Sequence, residues 1–174
     1  EHVAHRPHRL EDREALGPGW DGLFRFAFVR NPWDRLVSWY SMIRQQSQGR
    51  PRRQLNRLWN YVLEQGPTFE DFVRNCTATI DDVDGRKSFL FNQADYVCDS
   101  SGKLIVDFVG RYENLSSDSA LVLRRLGLPG LKLPHVNRSH HEHYSRYYSE
   151  ETRQIVAERY ARDLELFGYR FETE

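Results

Sequence analysis

Arg30 and Ser38 are the two side chains in this sequence whose types and spacing best suit the binding of one phosphate group. They lie within the segment 24–40, which reads FRFAFVRNPWDRLVSWY. A guanidinium group offers a planar fork of N–H donors that matches phosphate oxygens, and a serine hydroxyl adds one more donor. The pair therefore indicates a phosphate site, although an arginine in an ordinary salt bridge fits the same spacing.

The elements that position this pair are a predicted strand and the helix that follows it. Apolar residues alternate along 24–29, which is typical of a strand with one apolar face. Asn31 suits an N-cap, Pro32 suits the first helical position, and an apolar helical face follows at Trp33, Leu36, Val37 and Tyr40. Arg30 is thus expected at the carboxyl end of a strand, beside the unpaired N–H groups of a helix N-terminus.

Four blocks of the sequence resemble sulfotransferases, above all the branch of Golgi carbohydrate sulfotransferases and their bacterial relatives. The run 28–40 resembles the family's 3′-phosphate-binding motif. The other blocks are RYENL at 111–115, LPHVNRS at 133–139 and the tail 147–171, which ends in FGYRF. The resemblance implies an α/β fold that is rich in helices, with a P-loop-like three-layer core in which helices flank a parallel sheet. Residues 1–174 would form a single sulfotransferase-like domain.

The resemblance also implies a reaction and a set of roles. The reaction is transfer of a sulfuryl group from 3′-phosphoadenosine 5′-phosphosulfate (PAPS) to an acceptor hydroxyl, with a carbohydrate as the expected acceptor. Arg30 and Ser38 would hold the 3′-phosphate, Tyr112 would lie against the adenine, and Arg138 would contact the cofactor edge. His2 is the candidate general base, because an imidazole with a pKa near neutrality can take a hydroxyl proton. Direct in-line transfer requires no metal.

One part of the family pattern has no counterpart in the sequence. The relatives hold the 5′-phosphosulfate with a Gly- and Lys-containing loop after their first strand, and no stretch here resembles it. That loop lies upstream of the position matching Glu1. Two interpretations follow: a longer native chain that supplies the loop, or a degenerate module that binds a 3′-phosphonucleotide or an anionic glycan. In both, residues 1–174 alone are expected to bind adenosine 3′,5′-diphosphate without measurable sulfate transfer.

Composition argues against several other classes of protein. The formal net charge is zero, so nothing global points to nucleic acid. No apolar run is long enough to span a bilayer, and no secretory segment is visible. The cations are nearly all arginine, with only three lysines, which fits a GC-rich bacterial genome: Lys87, Lys103 and Lys132. A cytoplasmic location is therefore expected in a bacterium, or the Golgi lumen in a eukaryote.

Three further segments carry weaker expectations. The segment 44–57 holds five arginines and no acidic residue, so it is interpreted as a basic loop that steers a polyanionic glycan, or as a plain solvated loop. Four histidines between His135 and His143 lack the spacing of zinc ligands, so no metal is expected. Residues 95–109 predict a β-hairpin that turns at Asp99–Gly102.

Overall fold

The computed structural model of the chain describes residues 17–78, 89–131 and 141–174. The contacts divide the chain into two compact units. We call them the strand unit, which contains described residues 17–31 and 93–131, and the helical unit, which contains 32–78, 89–92 and 141–174. The prediction of a single domain over 1–174 stays a prediction.

The described elements are mainly helical, with two strands, β1 (Phe26–Val29) and β2 (Phe108–Arg111). The α-helices in chain order are α1 (Pro32–Ser47), α2 (Arg57–Gln65), α3 (Phe69–Asp71), α4 (Ala94–Val97), α5 (Leu115–Arg125), α6 (Glu150–Arg159) and α7 (Ala161–Phe167). A π-helical turn, Phe72–Cys76, continues α3. Short 3₁₀ helices lie at Gly17–Gly22, Arg52–Gln54, Tyr112–Asn114 and Tyr144–Tyr147.

The two strands pair in parallel, with Phe26 opposite Phe108 and Val29 opposite Arg111. Parallel strands need a crossover connection, and here the described part of that connection includes α4. The pairing is consistent with the predicted α/β class, although β1 begins at Phe26 rather than Phe24. The P-loop-like three-layer core stays a prediction.

The hairpin predicted over 95–109 is wrong in its extent. Residues 94–97 form α4. The antiparallel pairing is limited to the bridge between Cys98 and Leu104 and the main-chain hydrogen bonds on either side of it. The turn itself exists, because the Asp99 carboxylate accepts hydrogen bonds from the amides of Ser101 and Lys103. The returning segment then leaves its neighbour and pairs with β1, which lies much earlier in the chain. The local signal identified the turn but not the partner of the strand.

The helical unit is built on the apolar face of α1. This helix begins at Pro32, as predicted, and its buried residues are Pro32, Trp33, Leu36, Val37, Ser41 and Ile43. The apolar ones pack with a cluster of buried aromatic residues from several segments of the unit, including Phe69, Phe72, Phe89, Tyr144 and Tyr160. Burying this face provides most of the stability of such a helix.

Caps define the helix starts in this unit. Thr68 and Ser149 each form a capping box, ahead of α3 and α6. In the strand unit, α5 begins at Leu115, directly after the 3₁₀ helix Tyr112–Asn114. In the helical unit, Tyr160 separates α6 from α7.

The longest of the described helices, α1, has 16 residues. In the ranges that the structure covers, none combines the length and the apolar character that crossing a lipid bilayer requires.

Candidate functional site

Arg30 and Tyr112 meet at the carboxyl ends of the two paired strands. Arg30 follows β1 by one residue, and Tyr112 follows β2 by one residue. Because Val29 and Arg111 are opposite each other in the register, the two following residues are brought together. The Cζ atom of Arg30 lies 4.1 Å from the centroid of the Tyr112 ring. This is a cation–π contact, and it is at the sheet edge where open α/β folds bind ligands.

The main chain of Arg30 is fixed by the side-chain amide of Gln93. The Arg30 N–H donates to Oε1 of Gln93 at 2.8 Å, and Nε2 of Gln93 donates to the Arg30 carbonyl at 2.8 Å. Both polar groups of the Arg30 peptide are thus satisfied where the strand ends. Gln93 was not singled out in the sequence, since a lone glutamine carries no motif.

Glu113 holds the residue that follows Arg30. Its Oε1 accepts a hydrogen bond from the Asn31 N–H at 2.6 Å. The sequence predicted that N–H groups at the start of α1 would be open to an anion, and for Asn31 this is wrong, because a carboxylate occupies the donor. Pro32 has no N–H. The Asn31 amide therefore binds a side chain of the protein itself.

Two aspartates stabilise the strand pair, one at each end of it. Asp118 of α5 accepts from the Arg111 N–H at 2.7 Å, just before Tyr112. At the other end, Asp107 accepts from both the main chain and the side chain of Arg25, with Arg25 Nη2 2.8 Å from Oδ1. These bonds to Arg25 hold the pKa of Asp107 at about 2, below its ordinary 3.8. Together they fix the register that brings Arg30 and Tyr112 together.

The remaining predicted site residues lie outside the strand unit or outside the described residues. Ser38 is half-buried on α1 in the helical unit, whereas Arg30 and Tyr112 belong to the strand unit. His2 and Arg138 lie outside the described residues. The shared phosphate site of Arg30 and Ser38, the base role of His2 and the cofactor contact of Arg138 all stay predictions. For metals, no group of three or more possible ligands occurs among the described residues.

Comparison with known proteins identifies the family. A model of the sulfotransferase family matches residues 6–170, nearly the whole chain. The chain belongs to the sulfotransferase family, which supports a transferase. It is also 30% identical, over 113 residues, to an uncharacterized protein of Archaeoglobus fulgidus; the match covers 63% of this chain and 72% of the archaeal protein. No solved structure matches the chain significantly.

Proposed function

We propose that the protein is a PAPS-dependent sulfotransferase whose acceptor is a carbohydrate hydroxyl. The observation that carries this proposal is the Arg30–Tyr112 contact in a chain of this family. An arginine and an aromatic ring at the carboxyl ends of parallel strands suit a ligand with one phosphate and one flat base.

The residues present fit the nucleoside end of PAPS. Arg30 would bind the 3′-phosphate through its N–H donors, and Tyr112, which is 41% exposed, would take the adenine against its ring. Ser38 would add a hydroxyl to the phosphate, and Arg138 would contact the nucleotide edge. When bound, PAPS supplies an activated sulfuryl group. On the protein side, His2 would take the proton from the acceptor hydroxyl.

We infer a second task for Tyr112 from the same contact. One side of its ring faces the Arg30 guanidinium, so the base would use the remaining exposed surface of the ring. Tyr112 would then orient the arginine as well as contact the adenine. Because an arginine loses rotamer freedom when it binds, a ring that already holds it lowers the cost of binding the phosphate.

The direct test is transfer of labelled sulfate from PAPS to a panel of glycans by the native protein. The proposal predicts labelled glycan together with adenosine 3′,5′-diphosphate. Binding of that nucleotide without transfer to any acceptor would contradict it, and would favour the degenerate binding module instead. A cytoplasmic location in a bacterium, with the Golgi lumen as the eukaryotic alternative, stays a prediction.

A further inference from the structure

A groove of about 420 Å³ lies in the helical unit, between the end of α1, the segment that follows it, and α2. Gly49 follows α1 with φ of 71°, a left-handed conformation that glycine adopts readily, and it reverses the chain after the helix. The reversal returns the next residues to the groove wall. The polar lining residues are Arg44, Ser47, Gln48, Arg50 and Arg52, and the remaining wall is Leu55, Leu63 and Pro67.

The groove carries positive charge that no carboxylate in its lining offsets. Nη1 of Arg44 donates to the Pro67 carbonyl at 3.0 Å, and Nη1 of Arg52 donates to the Asn60 carbonyl at 3.1 Å. Both partners are neutral, so they position the guanidinium groups without cancelling the charge. Each guanidinium has five N–H donors, and these bonds use only one of them.

Ser47 adds a polar residue to the lining of the groove. Its hydroxyl is shielded from water and has no hydrogen-bond partner among the described residues, although Ser47 lines the groove.

We propose that this groove binds a sulfate or carboxylate group of an acidic saccharide. The proposal rests on the proposed function for the identity of the ligand. Arginine forks match the oxygens of both anions. The apolar wall of leucine and proline suits the C–H face of a sugar ring, which an isolated inorganic anion does not need.

The lining argues against single-stranded nucleic acid as the occupant. Such sites combine a basic groove with aromatic rings on which bases stack. No aromatic side chain lines this groove in the part of the chain that the structure describes. The Tyr40 ring lies under the Arg44 guanidinium, with 5.5 Å between Cζ and the ring centroid, but Tyr40 is not a lining residue.

The test is binding of a heparin-derived hexasaccharide, measured by calorimetry at low salt. The double variant Arg50→Ala/Arg52→Ala should bind it at least about tenfold more weakly, because two charge-assisted contacts are lost. The matched control is Arg53→Ala/Arg57→Ala, which removes the same charge from exposed neighbours that do not line the groove. The control should change affinity by less than about twofold.

Two results would overturn the inference. One is an equal loss of affinity in the groove variant and in its control, which would show that binding depends only on net charge. The other is binding of a single-stranded RNA of matched charge as tight as that of the hexasaccharide. Since Arg52 also bonds to Asn60, the single variant Arg50→Ala provides a second test: no described hydrogen bond or ion pair of its side chain is lost, and it should weaken binding about threefold.

Nucleotide binding distinguishes a failure of this inference from a failure of the proposed function. Binding of adenosine 3′,5′-diphosphate is measured in parallel on the unaltered protein. Nucleotide binding without any groove-dependent saccharide binding would overturn this inference and leave the proposed function standing. Groove-dependent saccharide binding without nucleotide binding would support this inference and overturn the proposed function.

Discussion

The guanidinium of Arg30 lies over the ring of Tyr112, with 4.1 Å between Cζ and the ring centroid. A guanidinium that stacks through its flat face still directs its N–H donors outward in its own plane. Stacking and phosphate binding therefore use different parts of the same group. The parallel register of β1 and β2 produces this arrangement, since each residue directly follows its strand.

Replacing Arg30 tests the phosphate contact. Arg30→Ala should weaken binding of adenosine 3′,5′-diphosphate by about 2–3 kcal/mol, because a charge-assisted fork is lost. Arg30→Lys keeps the charge but loses the fork, so it should recover only part of this loss. Calorimetry provides the measurement, and adenosine 5′-monophosphate is the control ligand. If the binding of both ligands is weakened equally, Arg30 does not contact the 3′-phosphate.

Replacing Tyr112 tests the role of its ring. Tyr112→Phe should keep most of the nucleotide affinity, because both the stacking surface and the cation–π contact remain. Tyr112→Ala should lose about 1–3 kcal/mol of binding free energy, the usual value of one base–aromatic contact. The same titrations measure both variants. Equal losses would indicate a contact through the hydroxyl, and no loss in either variant would remove Tyr112 from the site.

Gly110 tests the packing that supports the strand pair. A Cβ atom at this position would lie 2.5 Å from Cε1 of Phe28 on the neighbouring strand. Gly110→Ala should therefore lower the free energy of unfolding by about 1–3 kcal/mol, as overpacking usually does. Denaturant unfolding measures this value. Gly19→Ala is the control, since nothing lies within 4 Å of a Cβ there, and equal stability of the two variants would show that Phe28 simply moves aside.

The Arg25–Asp107 pair predicts a dependence of stability on pH. The pair lowers the pKa of Asp107 to about 2 from 3.8. A carboxylate whose pKa falls on folding stabilises the folded state above its unfolded pKa, and this stabilisation is lost as the pH falls from about 4 through about 2. Asp107→Asn should therefore flatten the curve of unfolding free energy against pH in that window. A carboxyl titration followed by NMR that shows an ordinary pKa at Asp107 would contradict this.

The sequence predicts those parts of the site that depend on neighbouring residues. The alternation before Arg30 and the proline at 32 are local signals, and the structure has a strand and a helix there. The contacts that hold Arg30 in place are not local: Gln93 and Glu113 reach its segment across 63 and 82 residues. Glu113 stands within the motif that resembles the family, but the resemblance assigned it no role. The hairpin error at 95–109 has the same origin, because the partner of β2 is distant in the sequence.

The most direct test of the central claim is calorimetry of the unaltered protein with two nucleotides that differ by one group. The account predicts that adenosine 3′,5′-diphosphate binds at least about tenfold more tightly than adenosine 5′-monophosphate, because the 3′-phosphate adds charge-assisted bonds to Arg30. Equal affinity for the two nucleotides, or no binding of either, would contradict the claim that this protein recognises a 3′-phosphonucleotide.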